Sequence, residues 1–328
     1  MIAPLAKWID WSTLQVVTMM IPASKAQQPR LEEALEFLKG PDFAPAETQA
    51  AQVEFHGPAH FRFPTPRPCE FVENNVAYGR LYRCSERWQE RPVIVLLHGK
   101  NNFIGYRFQF PLVARHCNRA GFNAATWVAP YHFRRHPRQL RESSSPDYLR
   151  LAEATVQAVA ELRALTGWLL AEGCPAVALW GNSMGGWLAG LTACHDARLA
   201  AAVLMKPAVR PNPSIGELIL WPRLRAALRR LRVADEMLEA TPMNLTASQP
   251  AVAKGNILLI EGMHDLFTPP EPLEDLWQTW GRPEIWRLPH GHISLSLRPG
   301  LTDRVIRWLA PRLDKSAVPR RAPLPRSS

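Results

Sequence analysis

From residue 93 onward, short apolar runs alternate with longer amphipathic stretches. Val93-Ile94-Val95-Leu96-Leu97 is the first such run, and it ends in His98-Gly99. Residues 122–128, 176–180, 199–205, 257–260 and 284–288 repeat the pattern. Between them, residues 110–120, 148–172, 184–194 and 272–280 carry helical spacing, and 303–309 lie in a last helix. Gly121 and Gly173 stop the first two helices. Strands that are apolar on both faces and separated by helices predict an α/β fold. Its sheet is mostly parallel and covered on both sides.

The rhythm differs elsewhere. Residues 1–52 read as a helical extension, clearest at Leu31-Glu32-Glu33-Ala34-Leu35-Glu36-Phe37-Leu38 and ended by Gly40-Pro41. Residues 53–84 alternate in a β-like way at 60–63 and 76–82. Residues 208–253, rich in proline and arginine, interrupt the strand–helix order and read as an inserted cap. The core is thereby divided into 53–207 and 254–310. Residues 311–328 offer almost nothing to bury and are expected to be disordered.

At 328 residues the chain has the length of one large domain with an insertion. No apolar run is long enough to cross a membrane. Residues 14–21 are apolar, and Ala23-Ser24-Lys25-Ala26 resembles a cleavage site. Lys7 is the only positive residue before them, however, and Asp10 interrupts the apolar run. These features favour a helix packed on the domain over a signal peptide. Five cysteines without CxxC spacing favour reduced thiols in a cytoplasmic protein, and no metal-ligand pattern is present.

The net charge of +10 comes mainly from arginine. It favours encounter with anionic surfaces, but no nucleic-acid-binding motif accompanies it. Within the insertion, Leu218, Trp221, Leu224, Leu228 and Leu231 share one helical face, with arginines 223, 225, 229, 230 and 232 around the rest. Such a helix suits a cap closing a site, with peripheral contact to an anionic membrane as the second reading.

The richest chemistry lies at Gly181-Asn182-Ser183-Met184-Gly185-Gly186, between a strand and a helix. Strand, Gly-x-Ser-x-Gly, helix is the setting that strains and exposes a serine as a nucleophile. With His98-Gly99, Asp265 and His292 in this order, the chain resembles the alpha/beta-hydrolase superfamily over about residues 53–309. The stretch 130–138 is similar to one in the branch that includes alpha/beta hydrolase domain-containing protein 18.

The resemblance implies a triad of Ser183, Asp265 and His292. The acid would orient the imidazole and stabilise its cation. Glu261 competes with Asp265 but precedes the turn, and the position after residues 199–205 reads Lys206-Pro207-Ala208, without a carboxylate. His290 competes with His292 and is assigned to shaping the loop or touching substrate. The implied oxyanion donors are the backbone N–H groups of Met184 and Lys100, with His98 bracing the loop. His132, Arg134 and Arg135 leave a strand on the ligand-binding face and are candidates for holding an anionic group.

The expected activity is hydrolysis of a small-molecule acyl ester without a cofactor. Thioesterase or amidase chemistry would use the same groups, and a non-catalytic binding protein on this fold is the alternative of another class.

Overall fold

The computed structural model describes residues 2–19, 30–40, 49–140, 147–210 and 241–314. A nine-stranded sheet runs in the order β1-β2-β3-β5-β4-β6-β7-β8-β9. The strands are β1 (Glu54–His56), β2 (His60–Pro64), β3 (Val76–Tyr82), β4 (Val93–Leu97), β5 (Asn123–Trp127), β6 (Val177–Asn182), β7 (Ala201–Met205), β8 (Ile257–Gly262) and β9 (Glu284–Leu288). β1, β2 and β3 pair antiparallel, β3 pairs antiparallel with β5, and β4 to β9 are mutually parallel. β1 is a strand that the sequence pattern does not single out.

The described helices are α1 (Ile2–Met19), α2 (Leu31–Lys39), α3 (Phe110–Arg119), α4 (Tyr148–Ala171), α5 (Met184–His195), α6 (Pro270–Thr279), α7 (His292–Ser296) and α8 (Leu301–Leu313). A π-helical turn, Gly105–Gln109, leads into α3. The expected tail begins too early: Pro311 to Leu313 belong to α8, where Leu309 and Leu313 are buried against the sheet. Their apolar side chains carry the helix past the point at which the prolines and arginines suggested an end.

Alternation within the strands divides the core. Val93, Val95 and Leu97 face a cluster shared with α2, α4 and α5, while Ile94 and Leu96 face one shared with α3 and α8. This is the period of two applied to a sheet buried on both sides.

Register then builds the site. Leu97 pairs with both Trp127 and Gly181, Asn182 with Met205, Met205 with Ile260, and Gly262 with Leu288. The carboxyl ends of the parallel strands therefore form one row. From β4 the chain continues to β5 on one side and to β6 on the other. Ligands of open α/β sheets bind at such a switch point.

Candidate active site

β6 ends at Asn182 and α5 begins at Met184, so Ser183 alone makes the reversal. Its backbone sits at φ 56° and ψ −120°, which is strained for a residue with a side chain. Ser183 N–H donates to the Met205 carbonyl at 2.9 Å, and Trp187 N–H donates to the Ser183 carbonyl at 3.0 Å. The glycines allow the close approach. A Cβ on Gly181 would lie 2.0 Å from the Gly185 oxygen, and one on Gly185 would lie 2.2 Å from the Leu97 oxygen.

Two strands along the row, the turn after β8 presents Asp265. Its Oδ1 accepts from the N–H groups of Phe267 and Thr268, each at 2.8 Å, and its Oδ2 accepts from the Thr268 hydroxyl at 3.0 Å. His292, the first residue of α7, donates from Nδ1 to Asp265 Oδ2 at 2.6 Å. With the proton on Nδ1, Nε2 is left as the ring's acceptor. Both side chains are buried.

Burial lowers the imidazole's pKa and the charge of Lys206 lowers it further, while Asp265 opposes both. Burial by itself would raise the Asp265 carboxyl. The charge and hydrogen bond of His292, the Thr268 N–H and Lys206 together outweigh it and hold Asp265 below the ordinary carboxylate value. Both directions favour an ionised carboxylate beside a neutral imidazole.

The structure thus brings Asp265 and His292 into direct contact. Ser183 stands in the same row of strand ends, with no hydrogen bond to His292 among the described residues. His290 makes no hydrogen bond to Asp265 among the described residues: its carbonyl accepts from His264 N–H at 3.0 Å, and burial, Arg298 and His264 lower its imidazole pKa. Glu261 is buried in β8 and pushed up to about 7 by burial and by its hydrogen bond to Glu274.

The loop after β4 runs beside the serine, where a Cβ built on Gly99 would lie 3.4 Å from Ser183 Cβ. His98 Nδ1–H donates to the Gly99 carbonyl at 2.9 Å, and Nε2 accepts from Ala129 N–H at 3.1 Å. Both bonds require the neutral ring. Burial supplies that condition by pushing His98 down to about 3. His98 therefore ties the β4 loop to the end of β5. Lys100 and Met184 follow Gly99 and Ser183, and neither backbone N–H has an acceptor among the described residues. For Met184, a missing acceptor is what a helix N-terminus dictates.

One substrate-contact assignment is corrected. Arg135 is fully buried, and its guanidinium grips Glu161 through two nitrogens, at 2.7 and 2.6 Å. It also donates to the carbonyls of Val128 (2.9 Å) and Asn74 (2.6 Å). Such a side chain is a brace between the β5 loop and α4 and is closed to any head group. Arg134 is exposed and lies over the Tyr78 ring at 4.4 Å. His132 donates from Nδ1 to the Pro130 carbonyl at 2.8 Å, and burial pushes it down to about 4.

Two charged residues at the site have no candidate role in the motifs. Asp10 of α1 and Lys206 at the end of β7 are both buried and both bond the backbone of His292. The signal in the sequence was a lone charge in an apolar stretch, which burial makes costly unless it is paired. The expected cap of residues 208–253 lies mostly outside the described residues.

A strained serine between strand and helix, with a carboxylate-bound histidine on the same row of strand ends, defines an α/β protein of the hydrolase type. The alpha/beta hydrolase family model matches residues 94–326, and the chain belongs to that family. The comparisons do not place it in the branch suggested by residues 130–138.

Among sequence relatives, the uncharacterized protein Rv2627c of Mycobacterium tuberculosis is 29% identical over 245 residues, which cover 70% of this chain and 57% of that protein. The chain thus spans little more than half the length of the curated relatives it matches. Among solved structures, it is similar to a hyperthermophilic esterase from Pyrobaculum calidifontis, with a TM-score of 0.54 and 18% identity over 97% of this chain and 99% of that one. An acetyl xylan esterase from Paenibacillus sp. R4 gives a TM-score of 0.52 and 15% identity over 90% of this chain and 98% of that one. The Pyrococcus furiosus esterase Pf2001 gives 0.53 and 15% over 80% and 93%. At these identities the likeness is one of fold.

Proposed function

We propose that this protein is a serine hydrolase that cleaves carboxylic esters through an acyl-enzyme. Ser183 Oγ attacks the ester carbonyl as its proton passes to His292 Nε2. The tetrahedral oxyanion accepts hydrogen bonds from the N–H groups of Met184 and Lys100, each worth about 3 kcal/mol of barrier. His292 then gives the proton to the departing alkoxide. Water attacks the acyl-enzyme as His292 takes its proton, and collapse of the second intermediate frees the acid while His292 returns that proton to Ser183 Oγ. Asp265 keeps Nδ1 protonated throughout and balances the imidazolium.

The observation that carries this reading is the 2.6 Å bond from His292 Nδ1 to Asp265, on the same row of strand ends as the strained Ser183. Two further features support an acyl substrate. Phe103 and Ile104, just beyond Lys100, are 53% and 69% exposed and give the loop an apolar lip. The similar solved structures named above are esterases by their own descriptions.

The test pairs fluorophosphonate labelling with hydrolysis of short- and long-chain p-nitrophenyl esters. Ser183→Ala is expected to abolish labelling and lower kcat by roughly 10⁶-fold. Equal labelling of wild type and variant would refute the mechanism.

A further inference from the structure

Asp10 carries the N-terminal helix into the site. Asp10 is fully buried, and its carboxylate accepts three backbone N–H groups: His292 at 2.6 Å, Ile293 at 3.0 Å and Leu266 at 3.2 Å. The first two open α7 and have no acceptor inside the helix. Gly291, which precedes them, has no side chain with which to cap. A Cβ there would lie 2.6 Å from Asp10 Oδ2, so the missing side chain also makes the room. Leu266 directly follows Asp265. One carboxylate therefore ties the backbone next to both members of the Asp265–His292 pair.

Lys206 acts from the opposite side. It is buried at the end of β7 and held at φ 42°, and its N–H donates to the Ile260 carbonyl at 2.7 Å. Its Nζ donates to the His292 carbonyl and, at 2.6 Å, to the Ser296 hydroxyl. Both backbone groups of His292 are thus held by buried charged side chains of opposite sign. Burying two charges is costly unless they are matched and hydrogen-bonded.

We propose that Asp10 and Lys206 are a pair of positioning residues that fix His292 in place and set opposing charges beside its imidazole. The inference rests on the reading of His292 as the general base. It makes α1 part of the active site.

Among the described residues, the charged groups facing the imidazole are Asp265 from the turn after β8, Lys206 from the end of β7 and Asp10 from α1. Phe267 and Thr268 complete the surroundings, with ring centroids of Phe267 and His292 4.9 Å apart and the Thr268 hydroxyl 3.3 Å from Nδ1. Burial and Lys206 lower the His292 pKa, whereas Asp265 and Asp10 raise it. Burial brings Lys206 itself down to about 8, against the pull of Asp265 and Asp10, so it carries its charge at neutral pH and below. The acid limb of kcat/KM reports the free base. Loss of the Asp10 charge must move that limb to lower pH, and loss of the Lys206 charge must move it to higher pH. Simple damage to the fold has no reason to give opposite signs.

The experiment measures kcat/KM against pH for p-nitrophenyl butyrate at the isosbestic wavelength. It compares the full-length wild type, Asp10→Asn, Lys206→Met and Asp10→Glu, with fluorophosphonate labelling to count competent sites. The expected result is a limb lowered by roughly half a unit in Asp10→Asn and raised by roughly as much in Lys206→Met. kcat per labelled site should fall roughly 10- to 100-fold in both. Asp10→Glu should restore the wild-type limb. Competent sites are counted by labelling at each pH, so any acid-induced loss of folded protein is divided out before the limb is read. Unmoved limbs, or limbs moved in the same direction, overturn the inference while Ser183-dependent hydrolysis stands. Wild-type turnover that survives Ser183→Ala instead overturns the underlying reading.

Discussion

Removing Arg135 or Glu161 distinguishes a structural brace from a substrate clamp. Both side chains are fully buried, and two of the guanidinium's nitrogens contact the carboxylate at 2.7 and 2.6 Å. Glu161 also accepts from Trp127 Nε1 at 3.0 Å and Gln157 Nε2 at 2.9 Å. Arg135→Met leaves a buried carboxylate with those two donors and no cation. Glu161→Leu leaves a buried cation whose other partners are carbonyls. Breaking a buried pair from one side costs about 3–5 kcal/mol. For a chain of this size, that corresponds to a fall in Tm on the order of 5–15 °C. The double variant Arg135→Met/Glu161→Leu removes both desolvation penalties and is expected to regain most of the loss. Thermal unfolding of the four proteins measures this, and KM for neutral and anionic esters at 25 °C accompanies it. The brace predicts large single effects, strong coupling and unchanged KM in the folded protein. An unchanged Tm with a raised KM for anionic esters alone would refute it and return Arg135 to the substrate.

Gly185→Ala puts a Cβ 2.2 Å from the Leu97 carbonyl oxygen, between two backbones that cannot separate without opening the sheet. A loss of roughly 3 kcal/mol or more is expected in denaturant unfolding, with labelling of Ser183 lost as well. Buried His98 and half-buried His132 predict a pH dependence of stability. His98 and His132 are held to about 3 and about 4, below the ordinary value of 6.5, so between those limits the unfolded chain binds protons that the folded chain refuses. Stability must therefore rise with pH across that window and fall on acidification. Tm measured from pH 7 to pH 4 should drop, and His132→Phe, which keeps a ring against His98 and Phe133, should flatten the slope; an equal slope would refute the assignment.

Much of this was legible locally. The apolar runs of β4, β6, β7 and β8 were readable because a strand covered on both faces has no polar side to confuse the pattern. The turn at Ser183 was readable because close approach of backbones at Gly181 and Gly185 restricts those positions to glycine. Other parts were not readable. The short β1 exists only as the partner of β2. Arg135 looks like any surface arginine until Glu161 of α4 is packed against it.

The sequence by itself determined the strand–helix order, the strained serine and the candidate set of chemical groups, because each depends on a few neighbouring residues. Tertiary structure decided which histidine meets Asp265, which arginine is buried, and that Asp10, 282 residues from His292 along the chain, caps the helix that carries it. Local spacing records which backbone groups a helix leaves unpaired. Only packing brings a distant carboxylate to them and removes the water that would otherwise have satisfied both.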